Sequence, residues 1–330
     1  MLSDTEQIQP VRENTPPLIT QYLFYTKQYA YFNFLFAGLF VVECLLFFIF
    51  FSFLLHSSIL AANLALIFAT GFAYFLLRVH YQARKFERIY ELVNMVQEEF
   101  MGSEGDKGRT AEGRVALANC YTKLAKGLQG AEYRYYQLPK LAEMCNPLLS
   151  RLSSWMHWHD IFKMKEILLL HTIQEYIELV KKEPTSLELH AALANAYVIL
   201  SGLYNTSEQS DLFRPSSKLV KLLEERFTWA SKRAIEEFKI LSQYAPNDPW
   251  VHQQLAYSYH DLKMPAEEIR EYEELLKLKP RDSETFFKLG VLYFEQGKNA
   301  EGLAIYKQLL QFTPQKARAL IQHYGSYNKL

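Results

Sequence analysis

The sequence predicts an all-α chain in which a transmembrane helical hairpin precedes a solenoid of paired helices. Three observations carry that expectation. Pro246, Pro280 and Pro314 stand 34 residues apart, and a fixed period of that length marks stacked helical units rather than one compact core. Two apolar runs, residues 32–55 and 59–77, lie close together near the N-terminus. The remainder is ordinarily charged: 49% of the 330 residues are apolar, yet 36 Lys and Arg balance 36 Asp and Glu, as expected of a membrane anchor joined to a water-soluble part.

A polar segment, residues 1–31, leads into the first run. Residues 32–55 contain one charge, Glu43, and residues 59–77 contain none; each is long enough to supply the roughly 20 helical residues that cross a hydrocarbon core. Only His56, Ser57 and Ser58 separate the runs, so the second span returns the chain to its starting side. A secretory signal fits poorly, because the run is long and Asp4, Glu6 and Glu13 outnumber Arg12 ahead of Lys27. Arg78, Arg84, Lys85 and Arg88 crowd the exit of the second span while the turn carries no Lys or Arg, which places both termini on the cytoplasmic face. Tyr22, Tyr25, Tyr29 and Tyr31 fit an interfacial aromatic belt, and Tyr74 and Tyr81 bracket the other boundary. This bilobed hairpin behind a short polar N-terminus resembles the anchor of chlamydial inclusion-membrane proteins, which type III secretion inserts into a host membrane. The resemblance covers about residues 1–80 and implies an alternative location, with the soluble part in a host cytosol instead of a bacterial cytoplasm.

Glu43 is the costly residue of the anchor. A carboxylate at mid-membrane is strongly disfavoured unless protonated or paired. Counting from the turn puts it opposite Thr70, Gly71 and Tyr74, so a hydrogen-bonded role in holding the helices together is expected. Ala61, Ala65, Ala69 and Ala73 form a ridge of small residues along which another helix, including one from a second copy of the chain, can approach closely.

Beyond the membrane, residues 78–100 read as an amphipathic helical extension, with Ile89, Leu92, Val93, Val96 and Phe100 on one stripe. Its expected partner is the first soluble helix, since the stripe is too short for a coiled coil. Gly102, Gly105, Gly108 and Gly113 mark residues 101–114 as a flexible linker. Residues 115–160 read as atypical helical capping broken into short pieces by Pro139 and Pro147.

Residues 161–330 hold the repeats. After Pro280 the chain places Phe286, Leu289, Gly290, Tyr293, Gly302, Tyr306, Leu309 and Pro314; after Pro246 it places Leu255, Ala256, Tyr259, Glu268, Tyr272, Leu275 and Pro280. Small residues recur where two helices must meet, and large ones where they wedge. The pattern resembles the tetratricopeptide repeat (TPR), with Trp, Leu-Gly and Tyr on a first helix and Ala, Phe and a closing Pro on the second. Behind Pro184 the same register gives Leu193, Ala194 and Tyr197, and ahead of it Tyr176 and Leu179. The second half of that repeat, Ala234, Ile235, Phe238 and Leu241, arrives late: Pro184 and Pro246 are 62 residues apart, 28 more than one period. An insertion near 205–232 accounts for the excess, with a polar loop over 205–217 and an over-long helix over 218–244.

The resemblance to TPR proteins implies that first helices line a concave groove, with their second, fifth, ninth and twelfth positions facing the ligand. Those positions hold Glu188, Ala191, Asn195 and Val198; Trp250, Gln253, Tyr257 and His260; and Glu284, Phe287, Val291 and Phe294. An aromatic, nearly neutral groove of this kind suits an extended or helical apolar peptide. TPR co-chaperones that hold a terminal carboxylate carry Lys where Ala191 and Glu284 stand here, although Asn195 and Lys288 fit their pattern. The other reading of the aromatics is packing against the insertion or a terminal helix.

Other functions find little support. There is no phosphate loop, no His-Glu-x-x-His helix, no nucleophile elbow and no glycine-rich nucleotide turn, so no cofactor and no enzyme activity are expected. His157, His159 and Asp160 cluster in sequence, but no second ligand group stands at a metal-binding spacing. Balanced charge gives no field for nucleic acid. Cys44, Cys120 and Cys145 are odd in number and form no Cys-x-x-Cys pair, which suits reduced thiols in a cytoplasmic setting. The expected function is that of a non-enzymatic, membrane-anchored adaptor that meets a lipid bilayer and binds a protein or peptide. The alternative is a small subunit of a membrane transport or secretion complex.

Overall fold

The computed structural model describes residues 28, 31–49, 58–104, 110–133, 146–205 and 217–326. Every regular element among them is helical. The N-terminal polar segment, the turn at 56–57, Gly105, Gly108, Pro139 and the insertion loop at 206–216 lie outside the described residues. The chain divides into two compact units, Met1–Thr172 with Asp211–Phe213 and Ile173–Ser210 with Arg214–Leu330.

In the first unit, α1 spans Tyr31–Ile49 and α2 spans Ser58–Glu104. Tyr31–Ile49 and Ala61–Tyr81 are long and apolar enough to cross a membrane, and almost none of either is buried. The two helices run antiparallel, since Glu43 meets Thr70 and Phe32 meets Tyr81. Past the apolar run α2 continues unbroken to Glu104, 47 residues in all. Val93, Val96 and Phe100 are buried, and α2 packs on α3, Ala111–Gly127; the side chains of Ile89 and Leu92 lie outside the described residues.

The segment expected as a linker is therefore narrower than 101–114. Gly102 lies within α2, and Gly113 is a buried residue of α3 whose amide donates to the Thr110 hydroxyl across 3.2 Å. That N-cap satisfies a helix-terminal donor and starts the helix where glycine content alone suggested flexible chain. After α3 the chain makes a turn at Gly130 (φ +72°) and a short 3-10 helix, Ala131–Tyr133. The segment then differs from the short pieces expected over 115–160: α4 runs from Asn146 to Lys182, 37 residues. Pro147 is its second residue, where a missing N–H breaks no helical hydrogen bond, so it begins a helix instead of interrupting one. The Thr172 hydroxyl reaches the carbonyls of Leu168 and Ala118, at 3.1 and 3.3 Å, tying α4 to α3.

The second unit begins within α4, where Tyr176 and Leu179 are buried. It continues as helix pairs: α5 (Leu187–Tyr204) with α6 (Ser217–Tyr244), α7 (Pro249–Asp261) with α8 (Pro265–Leu278), and α9 (Ser283–Glu295) with α10 (Asn299–Phe312). A seven-residue α11, Pro314–Leu320, and a 3-10 turn, Ile321–His323, close it. Helix α6 is twice as long as α8, at 28 residues against 14, so part of the insertion is helical. Leu193, Ala194 and Tyr197, then Leu255, Ala256 and Tyr259, then Leu289, Gly290 and Tyr293 are all buried. A Cβ on Gly290 would lie 2.6 Å from Leu320 Cδ2, and one on Gly302 would lie 2.5 Å from the Phe294 ring. Glycine at both places is thus a packing requirement.

The turns inside the last two repeats are copies of one another. Lys263 and Gly297, 34 residues apart, both have positive φ, 55° and 71°. Met264 N donates to Tyr259 O and Lys263 N to His260 O, each at 2.9 Å; Lys298 N donates to Tyr293 O at 2.8 Å and Gly297 N to Phe294 O at 3.1 Å. This is the Schellman closure, in which a left-handed residue lets two amides cap the preceding turn. Lysine carries a Cβ into a region that costs it about 1–2 kcal/mol. Lys263→Gly is predicted to stabilise the protein by up to about 1 kcal/mol, and Gly297→Lys to destabilise it. Urea denaturation followed by circular dichroism checks both, and a destabilised Lys263→Gly variant contradicts the closure.

Candidate partner-binding groove

Helix α7 owes its starting point to Asp248, whose carboxylate accepts the Trp250 amide at 2.9 Å, with Pro249 in the first turn. Trp250, Gln253, Tyr257 and His260 then follow at helical spacing on one face. Trp250 is 37% exposed, with its ring edge-on to Phe238 of α6 at 5.8 Å. Tyr257 is 36% exposed, and its hydroxyl accepts from Gln253 Nε2 at 2.7 Å and from Lys288 Nζ at 3.2 Å. The Lys288 ammonium also stands 4.6 Å from the centre of the Tyr257 ring, within cation–π range. Two helices of successive repeats, α7 and α9, thus share a surface of two half-open aromatic rings with one lysine fixed over the second. Exposed His260 pairs with Glu268 of α8 at 3.1 Å. Burial pushes the Glu268 carboxyl above its ordinary value, against the pull of His260.

Helix α9 starts on Asp282, which accepts from the Glu284 amide at 3.1 Å and the Thr285 hydroxyl at 2.6 Å. Its four expected groove residues do not share one environment. Glu284 is exposed and held by Lys316 Nζ at 2.8 Å. Phe287 is half-buried, with its ring 6.1 Å from that of His323, and Val291 is half-buried against the repeat core. Phe294 is fully buried, with Gly302 beneath its ring and Tyr324 edge-on to it at 5.5 Å. Phe294 is therefore a core residue and not a groove contact. The chain after α11 returns across α9, so the second reading of the aromatics, packing against a terminal helix, describes this end of the array. On α5, Asn195 and Glu188 are exposed while Ala191 and Val198 are half-buried.

Lys288 lies outside the four counted positions of α9, although its fit to the carboxylate-holding pattern already set it at the groove. Only the approach of α7 shows that it reaches Tyr257.

In the hairpin, Glu43 is 8% exposed, and its Oε1 accepts from Thr70 Oγ1 at 2.8 Å. Tyr74 OH donates to Asn33 Oδ1 at 3.2 Å. A cleft of about 300 Å³ lies between the helices, lined by Asn33, Phe36, Ala37, Phe40, Thr70, Gly71 and Tyr74. Ala61, Ala65 and Ala69 are exposed and Ala73 half-buried, so the first three leave α1 to Thr70, Gly71 and Tyr74. Among the described residues no group of three or more His, Cys, Asp or Glu is placed to hold a metal ion. Cys44 and Cys120 form no disulfide among the described residues.

The tetratricopeptide repeat profile matches residues 251–282 and 283–316. TPR repeats are present there. These are the α7/α8 and α9/α10 pairs; Tyr257 lies within the first match and Trp250 immediately ahead of it. A solved TPR protein of Thermus thermophilus is 18% identical and aligns over 67% of this chain and 100% of its own, with a TM-score of 0.32. No curated protein matches the chain.

Burial separates two aromatic positions that a repeat count treats alike. Phe294→Ala is predicted to cost about 3–5 kcal/mol, as for a fully buried phenylalanine, and Tyr257→Ala about 1 kcal/mol or less. Chemical denaturation of the two variants, measured side by side, gives the order.

Proposed function

We propose that this chain is a membrane-anchored interaction adaptor that holds a protein or peptide partner on the α7/α9 face of its TPR repeats. The observation that carries the reading is the pair Trp250 and Tyr257, both more than one-third exposed on one helix of a repeat whose other large side chains are mostly buried. Aromatics of this kind supply much area at little entropy cost and recur among binding hot spots. Lys288 fixed over Tyr257 adds a polar edge for a backbone carbonyl or an acidic side chain. An extended or helical peptide presenting apolar side chains suits this surface. The role is that of a scaffold, not an enzyme.

The anchor is read as the hairpin of α1 and α2, with both termini on the cytoplasmic side, because two apolar helices that bury almost none of their surface need an apolar surrounding. Tags on the two ends should then show the same protease protection, and a cysteine at Ser57 should be labelled only from the opposite side. Opposite accessibility of the tags overturns the hairpin.

A second reading, a subunit of a membrane transport or secretion complex, is favoured by one observation. Glu43 Oε2 is buried without a hydrogen-bond partner, and an ionisable group at membrane depth is a functional candidate by default. Glu43→Gln separates the two: an adaptor keeps its partner and its location, whereas an ion-coupled subunit loses transport.

Partners captured by the full chain in detergent and identified by mass spectrometry provide the ligand for the decisive titration. Replacing Trp250 and Tyr257 together by Ala should remove more than about 2 kcal/mol of binding, a weakening of roughly thirtyfold or greater, with helical content unchanged. Unchanged affinity places the ligand on another surface.

A further inference from the structure

His190 and His252 occupy the same place in two successive repeats. Each stands six residues after the proline that closes the unit before it, Pro184 or Pro246, and in the next repeat that place belongs to Phe286, six residues after Pro280. Both histidines are buried. His190 Nδ1 lies 2.6 Å from Glu237 Oε2 on α6, and its Nε2 lies 3.0 Å from the Pro184 carbonyl oxygen. His252 repeats the arrangement, with Nδ1 2.7 Å from Glu271 Oε2 on α8 and Nε2 2.9 Å from the Pro246 carbonyl oxygen. Each ring therefore bridges the second helix of its own repeat and the turn that ends the preceding one. Phe286 instead meets an apolar neighbour, the Phe312 ring at 5.4 Å.

A carbonyl oxygen and a carboxylate only accept hydrogen bonds, and a neutral imidazole has a single N–H to give. A ring that satisfies both partners carries two protons. We propose that His190 and His252 are imidazolium staples, and that rising pH loosens the two repeat junctions they close while the junction built on Phe286 stays shut. The inference stands on the repeat junctions alone and does not depend on the groove or the anchor.

The electrostatic surroundings agree. Burial by itself pushes both histidines down, but hydrogen bonds to the carboxylate and the carbonyl, together with the carboxylate charge, outweigh it and hold them above the ordinary value. Among the described residues the charged groups that act on the rings are Glu237 for His190, and Glu271 and Glu274 for His252. Arg233 and Lys239 of α6 act instead on Tyr197 and Tyr259. A histidine raised in the folded state contributes stability that is fully present below its unfolded value, near 6.5. That stability is lost as pH rises through the folded value. The loss falls between the ordinary value and the raised one.

Hydrogen exchange of the full chain in detergent, read by mass spectrometry between pH 6 and 9 and corrected for intrinsic rates, tests this directly. Peptides covering 184–190 and 246–252 should open more as pH rises, by up to about tenfold per pH unit between the ordinary and the raised histidine values, whereas 280–286 should not change. Equal change at all three junctions, or none at the first two, overturns the proposal. Glu271→Gln should flatten the response at 246–252 and leave that at 184–190; a response that persists at 246–252 also overturns it. If that variant fails to fold, the three junctions of the wild-type chain still decide, as does the ring 15N spectrum, where a single proton on either histidine at pH 6 is incompatible with the staple.

Discussion

A large side chain can press onto a neighbouring helix's backbone only where that helix carries no side chain of its own, and the last repeats are organised around two such places. Gly290 leaves room for Leu320 of α11 and Ile305 of α10, and Gly302 leaves room for the ring of Phe294. With those contacts fixed, the rotation of α9 about its axis is fixed as well. Phe286, Leu289 and Tyr293 then turn inward, and Lys288 is carried to Tyr257 on α7. The half-open face of Trp250 and Tyr257 follows from the same rotation in the neighbouring repeat, where Leu255, Ala256 and Tyr259 take the buried side.

Polar groups fasten what apolar packing positions. The wedge position of the first helix is Phe286 in one repeat and histidine in the two before it, and each form is complete in its own chemistry: ring against ring for Phe286, and two acceptors for each imidazole. The small-residue position of the second helix holds Ala234 and Gly302 in two repeats but Glu268 in the third, where a buried carboxylate answers to His260. A buried polar group without a partner costs far more than one that is paired, so each departure from the repeat pattern comes with its own acceptor or donor. The hairpin follows the same rule in part, with Thr70 donating to Glu43 Oε1 and Tyr74 to Asn33, while Glu43 Oε2 stays without a partner.

Continuity of α2 joins its apolar run to the rest of its unit. A helix of 47 residues is about 70 Å long at 1.5 Å per residue, more than twice the hydrocarbon thickness of a bilayer. Its apolar half is long enough to cross a membrane, and its far end buries Val93, Val96 and Phe100. One element thus changes character along its length, from apolar all round to a single apolar stripe.

What the sequence by itself determined is what repeats or alternates locally. The 34-residue period, the two apolar runs and the place of Glu43 opposite Thr70 need only counting along a helix or across a short turn. The late second helix also followed from arithmetic, and α6 begins at Ser217. Caps and distant neighbours escaped that counting. Gly113 is buried in α3 because Thr110 caps the helix ahead of it, and Pro147 opens α4 because a first turn has no use for its missing N–H. Phe294 shares a register position with groove residues, yet it is sealed by a chain end that turns back across α9 to set Tyr324 on its ring. Lys288 joins the Tyr257 surface through an approach between residues 31 apart. Helical period fixes which way a side chain points from its own axis; only the tertiary structure decides whether solvent, a terminal segment or a neighbouring repeat lies there, because that depends on contacts between residues far apart in the chain.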